Sequence, residues 1–305
     1  MEIFIACPRG FCAGVRRALD IVSQTLTQFG APIYVRHEIV HNKHIIEDLR
    51  KQGVIFVDEL NEVADRSRPV IFSAHGVSHQ VKQQAQDMGL KTIDATCPLV
   101  DVVHKQMTRL YQSGAEIIVI GKAAHPEILG TVGQLPAGAK THIIASLREA
   151  QNLELSSSAK IGIVTQTTLA VEDTKEIVDY LRARFNNIVN SANINICFAT
   201  TNRQKAIEEL VRHSPNIVII GSKNSSNSTH LKEAALHFGA RKAWLIDDAT
   251  ELDLGEIDKC ESLGISAGAS APEYLVEELI GFLKNRYKNV KTHDVIVSKE
   301  DVSFK

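Results

Sequence analysis

Much that would narrow the function is missing from this sequence. No run of about 20 apolar residues, the length that crosses a bilayer, occurs in its 305 residues, so no membrane span is expected. Lysine and arginine (34) nearly balance aspartate and glutamate (36), leaving a formal charge of -2. That balance provides no basic field for nucleic acid, and any anionic ligand must be held by local groups. The first apolar run, Ile3 to Ala6, is short and is broken at once by Pro8 and Arg9. It does not read as a secretory leader, and a cytoplasmic location is expected. The five cysteines are an odd number, which does not suit a disulfide framework, and none lies in a C-x-x-C pair of the kind that builds closed zinc sites.

Against these absences stands a repeat. Cys12, Cys97 and Cys197 each follow an apolar run (Ile3 to Ala6, Thr92 to Ile93, Ile194 to Ile196) and precede a charged amphipathic segment (Val15 to Gln24, Leu99 to Tyr111, Asn202 to Arg212). Strand, cysteine, helix is the pattern, at a period of about 90 residues. Within each copy further strands alternate with helices, and three of the loops carry polar or reactive residues. Alternation of this kind predicts an α/β protein of three pseudo-repeated small parallel-sheet lobes whose polar loops could converge on one centre, because ligands in such folds bind beyond the carboxyl ends of the strands. The lobes are expected at 1–91, 92–193 and 194–284, with residues 1–13 able to pack on the third lobe and a polar tail over 285–305 whose one strand-like run is Val295 to Val297.

A thiol taken alone is commonly a small buried hydrophobe. The same slot filled in three repeats argues instead for ligation of one centre from three sides. A cubane iron-sulfur cluster with three thiolates and one bare iron suits that arrangement. Cys7 and Cys260 have no matching slot and are expected to be buried. The other slots hold His41, His75, His125, Thr167, the Ser225-Ser226-Asn227 run and Ser270. Hydroxyls, amides and imidazoles at helix starts make a cradle for phosphate oxygens, although singly a serine there is as easily an N-cap and His125-Pro126 a turn. Glu127 either favours a helix start or, if enclosed, delivers protons. Arg9, Lys122 and Lys223 are steering charges or merely solvated ones.

Pro8-Arg9-Gly10-Phe11-Cys12-Ala13-Gly14, Phe72-Ser73-Ala74-His75-Gly76, Asp94-Ala95-Thr96-Cys97-Pro98, His125-Pro126-Glu127, Thr165-Gln166-Thr167-Thr168, Ala199-Thr200-Thr201-Asn202-Arg203-Gln204 and Gly221-Ser222-Lys223-Asn224-Ser225-Ser226-Asn227-Ser228 occur in an order that resembles the LytB or IspH family, the 4-hydroxy-3-methylbut-2-enyl diphosphate reductases. The resemblance implies one 4Fe-4S cluster on Cys12, Cys97 and Cys197 with an iron not ligated by cysteine, an allylic diphosphate substrate, and a flavodoxin or ferredoxin as electron donor. It also implies that the three lobes surround a central cluster-containing cavity, and that the reaction is reductive loss of the substrate hydroxyl to give isopentenyl and dimethylallyl diphosphates, the last step of the non-mevalonate route. His41, His75, Ser225, Ser226, Asn227 and Ser270 would hold the diphosphate, His125 and Thr167 would complete the polar network, and Glu127 would supply the proton. Cys7 departs from the family pattern, where Asn or another polar residue is expected. Two other classes remain open: quinolinate synthase, which shares the three-lobed plan but takes a dicarboxylate, and a metal-binding redox sensor with no catalysis.

Overall fold

A computed structural model describes residues 1–189 and 195–304; Ile194, the first residue of the apolar run expected before Cys197, lies outside the described residues. The elements in chain order are β1 (Glu2–Cys7), α1 (Ala13–Phe29), β2 (Ile33–Arg36), α2 (Lys43–Lys51), β3 (Val54–Val57), β4 (Val70–Phe72), α3 (His79–Asp87), β5 (Thr92–Asp94), α4 (Pro98–Gln112), β6 (Glu116–Ile120), α5 (Pro126–Val132) and β7 (Thr141–Ile144). There follow α6 (Leu147–Gln151), β8 (Ile161–Thr165), α7 (Val171–Arg184), α8 (Phe198–His213), β9 (Asn216–Ile220), α9 (Ser226–His237), β10 (Lys242–Ile246), α10 (Leu254–Ile257), β11 (Ser262–Ala267), α11 (Glu273–Arg286) and β12 (Lys291–Ile296). Among the described residues no helix is long and apolar enough to cross a membrane.

The strands form three sheets, of order β10-β9-β11-β1-β12, β3-β2-β4-β5 and β7-β6-β8, and every named pair is parallel. The order repeats. In each sheet the second strand of its stretch lies outside the first, the third follows on the inner side, and a fourth position comes next. That fourth position belongs to β1, to β5, and beside β8 to a single parallel bridge between Ile161 and Ile188. The cysteine strand therefore closes a sheet instead of opening one. β5, which leads to Cys97, pairs with β4, and β1, which leads to Cys12, lies between β11 and β12. Periodicity shows that a unit recurs but not where it starts, which is why the phase of the repeat was shifted by one strand in the sequence reading.

By density of contacts the chain divides into two units. The first comprises Met1–Arg16, Val40–Asp48 and Phe198–Ser303, and the second comprises Arg17–Ile39 and Leu49–Cys197. The five-stranded sheet of the first unit is covered on both faces, which accounts for strands that read as continuous apolar runs. Val218 and Ile220 of β9 join Leu275, Val276, Leu279 and Leu283 of α11. Ile217 and Ile219 join Ala206, Ile207 and Leu210 of α8 and Leu231 and Ala235 of α9. In the second unit β6 alternates in the same way, Ile118 and Ile120 facing α7 and Ile117 and Val119 facing α4.

The tail does not hang free of this unit. β12 runs beside β1 from Glu2↔Lys291 to Cys7↔Ile296, and the Val297 N–H continues the ladder to the Cys7 carbonyl at 2.9 Å. Helix α9 had no counterpart in the sequence reading. Its first turn, Ser-Asn-Ser-Thr, has weak helix propensity, and it is buried broadly enough to lack a clear polar face.

Helix α8 approaches β11 closely because Gly264 has no side chain: a Cβ there would lie 2.6 Å from Ile217 Cδ1 and 2.7 Å from Leu210 Cγ. Gly264→Ala is expected to lower the unfolding free energy by about 1–3 kcal/mol through overpacking. Urea denaturation checks this, and an unchanged midpoint would contradict the close approach.

Candidate functional site

Each of the three cysteines stands immediately before a long helix: Cys12 before α1, Cys97 as the N-cap of α4, and Cys197 before α8. All three are half-buried, and no disulfide forms among the described residues. Each is mounted by the same backbone bond. The Cys12 N–H donates to Ala269 O at 3.2 Å, the Cys97 N–H to Ala74 O at 3.0 Å and the Cys197 N–H to Thr167 O at 3.1 Å. The three acceptors lie just past β11, β4 and β8, the third strand of each sheet, and they adjoin or include Ser270, His75 and Thr167. Equivalence inferred from sequence is thus present as equivalent hydrogen bonding, within the first unit for Cys12 and within the second for Cys97 and Cys197. Asn195 adds to the third mount, accepting from Thr165 N at 3.3 Å, donating its own N–H to Thr165 Oγ1 at 3.0 Å and reaching Gln106 of α4 at 2.6 Å.

The cysteines suit an iron-sulfur cluster. Helix starts favour negative charge, which thiolate ligands and their cluster carry, and a half-buried thiol is accessible to assembly. Among the described residues no three or more His, Cys, Asp or Glu groups are gathered for a single metal ion; a cubane takes each thiolate on its own iron. Cys7 and Cys260, expected to be buried, are half-buried instead. The Cys7 thiol donates to Ser298 O of the tail at 3.9 Å.

In the second unit Glu127 is 2% exposed and both of its carboxyl oxygens are engaged by one residue. Thr167 N–H donates to Oε1 at 2.6 Å and Thr167 Oγ1 donates to Oε2 at 2.9 Å. Burial outweighs these two donors and raises the Glu127 pKa from 4.5 to about 7. A threonine hydroxyl can turn from donor to acceptor, so the same contact serves the protonated acid. His125 caps α5, its Nδ1 accepting from Glu127 N at 3.1 Å, which leaves Nε2–H as the donor of the neutral ring. His75 meets His125 edge to face with ring centres 5.6 Å apart, and its Nδ1 lies 3.3 Å from Ser73 Oγ. Beneath that turn, His104 is held neutral by burial, its pKa lowered to about 4. Gly76, at φ +76°, leaves room for its ring.

In the first unit Ser225, Ser226, Asn227 and Ser270 are all more than nine-tenths buried. Ser225 caps α9, accepting from Ser228 N at 3.3 Å and from Ser228 Oγ at 3.1 Å. Asn227 takes the Ala269 N–H at 2.8 Å and donates to Thr200 Oγ1 at 3.4 Å, joining the loops after β9 and β11 to the first turn of α8. Ser270 donates to the His41 carbonyl at 2.8 Å and lies 3.4 Å from Ser225 Oγ. The segment that follows His41 is fastened by Lys43 N–H to Ser222 Oγ at 3.0 Å and by His44 Nε2 to Asp248 at 3.0 Å. A Cβ on Gly221 or Gly268 would collide with Ser228, so both loops close on that hydroxyl. Ser228 and Thr200 are neighbours of the candidate residues that carry no signal in the sequence beyond their place in the motifs. Arg9 and Lys223 are engaged in surface pairs with Glu273 at 2.6 Å and Glu251 at 3.5 Å.

Fold and loops together define a class: a parallel α/β protein in which three cysteines at helix starts are each hydrogen-bonded just past the third strand of a sheet, and these strand ends bear hydroxyl, amide, imidazole and one buried carboxyl group. The chain matches the LytB protein family over residues 3–284 and belongs to it. It is 47% identical over 309 residues to the 4-hydroxy-3-methylbut-2-enyl diphosphate reductase of Gluconobacter oxydans, covering 100% of this chain and 91% of the relative. To the enzyme of that name from Pseudomonas putida it is 49% identical over 286 residues, covering 93% and 90%. The solved E-1-hydroxy-2-methyl-but-2-enyl-4-diphosphate reductase of Plasmodium falciparum superposes with a TM-score of 0.92 at 34% identity, covering 99% of this chain and 93% of that one. A second solved reductase, described as the terminal enzyme of the non-mevalonate pathway, superposes at 0.66 with 30% identity, covering 93% and 99%.

Because the folded protein binds a proton at Glu127 more tightly than the unfolded chain does, the contribution of this group to stability falls as pH rises from 4.5 to about 7. The contribution is about 3 kcal/mol across that window. Glu127→Gln should remove this slope, so urea unfolding of the two proteins at pH 4.5 and 7 should give differences that diverge by that amount. Parallel pH profiles would contradict the raised pKa.

Proposed function

We propose that the chain is an oxidoreductase that converts 4-hydroxy-3-methylbut-2-enyl diphosphate to isopentenyl and dimethylallyl diphosphates, using one 4Fe-4S cluster held by Cys12, Cys97 and Cys197. The observation that carries the reading is the threefold backbone mount of these cysteines, taken with relatives of nearly the same length that bear the reductase name. When bound, the cluster supplies two electrons singly and a Lewis-acidic iron free of cysteine.

The remaining work falls to the residues of the chain. The buried hydroxyls of Ser225, Ser226 and Ser270 and the Asn227 amide, at the start of the 12-residue helix α9, bind diphosphate oxygens through neutral donors and the helix N-terminus. His41 and His75 add donors to the same anion, and Nε2–H of His125 extends the network. Glu127, protonated below about pH 7, gives its proton to the departing hydroxyl oxygen, which leaves as water. Thr167 holds both carboxyl oxygens before and after that transfer. Two electrons and one further proton complete the balance, and delivery of that proton to one end or the other of the allylic unit gives the two products. The electrons come from a small one-electron carrier such as a flavodoxin or ferredoxin.

An anaerobic assay on cluster-loaded protein, following oxidation of reduced viologen on adding the substrate, tests the reading. The rate should fall about tenfold per pH unit above 7 as the acid loses its proton, and Glu127→Gln should lower kcat by about 10²- to 10⁴-fold. No substrate-dependent oxidation by loaded protein, or an undiminished rate in the variant, would overturn it.

A further inference from the structure

Arg203 is the largest fully buried side chain among the described residues. Its guanidinium makes every contact inside the first unit. Nε and one terminal nitrogen donate to Gly10 O at 3.1 and 2.7 Å, and the other donates to Ala199 O at 2.9 Å and to both carboxyl oxygens of Glu300 at 3.0 Å. Glu300 belongs to the tail, beyond the residues that match the family. It is itself 9% exposed on its side chain and takes a further bond from Asn202 at 3.2 Å. The ladder from β12 through Val297 leads the chain to this position. Gly10 lies two residues before Cys12, and the next carbonyl, Phe11 O, is taken by Arg16 at 2.7 Å. Both carbonyls that precede the cysteine are thus turned to guanidinium groups, one of them buried.

We infer that Glu300 is a positioning residue for Cys12: by neutralising the buried Arg203 it lets that guanidinium hold the Gly10 carbonyl, and so fixes the loop that carries the thiol. A buried guanidinium without a carboxylate draws in water or moves outward, and either response releases Gly10. The inference rests on the reading of Cys12 as a cluster ligand for its importance to the reaction, but the loop can be examined without any cluster.

The test uses full-length protein freed of iron, with iodoacetamide as the probe and mass spectrometry reading alkylation at Cys12 and Cys97 separately. Glu300→Gln should raise the Cys12 rate about fivefold or more while leaving Cys97 unchanged, the pattern of a local opening. Equal increases at both cysteines, or none, would overturn the inference. The double variant Arg203→Met with Glu300→Leu removes both buried charges and should regain the wild-type melting temperature. Its Cys12 should nevertheless stay fast, since nothing then holds Gly10; a wild-type rate there would contradict the role. With the cluster loaded, the Glu300→Gln protein should lose iron to a chelator faster than wild type. Absence of a cluster from wild-type protein would count against the proposed function and leave the alkylation result standing.

Discussion

A single backbone hydrogen bond, formed three times, connects the fold to its chemistry. The N–H of Cys12, Cys97 and Cys197 each reaches a carbonyl just past the third strand of a parallel sheet. Such a bond contributes only about 0.5–1.5 kcal/mol, so its importance lies in geometry. It sets each cysteine beside the loop that holds Ser270, His75 or Thr167. The helix begins at once after each cysteine, so the chain cannot drift from that place. Loops at the carboxyl ends of parallel strands are where such folds bind ligands, and the repeat places a cysteine and a polar neighbour at that end of every sheet.

Around these mounts the protein treats buried charge in two opposite ways. Glu127 is met by the N–H and hydroxyl of Thr167, and burial answers by favouring its protonated form near neutrality. Arg203 cannot lose its proton, and it is buried with a bidentate carboxylate and two backbone carbonyls. The first arrangement suits a group that must give up a proton, the second a group that must stay fixed. The cluster of Ser225, Ser228, Asn227 and Ser270 in the first unit takes a third course, with neutral hydroxyls and an amide that bond to one another and to backbone. Neutral donors bind an anion without burying a cation in the empty site.

Legibility in the sequence followed the strength of the local signal. β3, β4 and β9 stand where continuous apolar runs placed them, within one residue, and for β9 the reason is that both faces of its sheet are covered. The amphipathic helices after the three cysteines were equally clear. Helix α9 was not, since its opening serines and asparagine look like a loop, although Ser225 caps the helix and Asn227 ties it to the loop after β11. The phase of the repeat was left open, since residues 1–13 fit either the first lobe or the third; the pairing of β1 with β11, between residues about 260 apart in number, puts them with the third. Of the candidate residues, Glu127, Thr167, His75 and His125 are brought together in the second unit, and Ser225, Asn227, Ser270 and the His41 backbone in the first. The supporting side chains Ser228, Thr200, Asn195 and Glu300 escaped notice because a polar residue in a loop carries no mark of what it will touch.

Chemical analysis of iron and acid-labile sulfide in anaerobically reconstituted protein, for wild type and for Cys12→Ser, Cys97→Ser, Cys197→Ser and Cys7→Ser, addresses the threefold mount most directly. Wild type and Cys7→Ser should hold about four of each per chain, and each of the other three variants should lose most of both. Full content in any one of Cys12→Ser, Cys97→Ser or Cys197→Ser would show that its mount serves packing alone and would contradict the account.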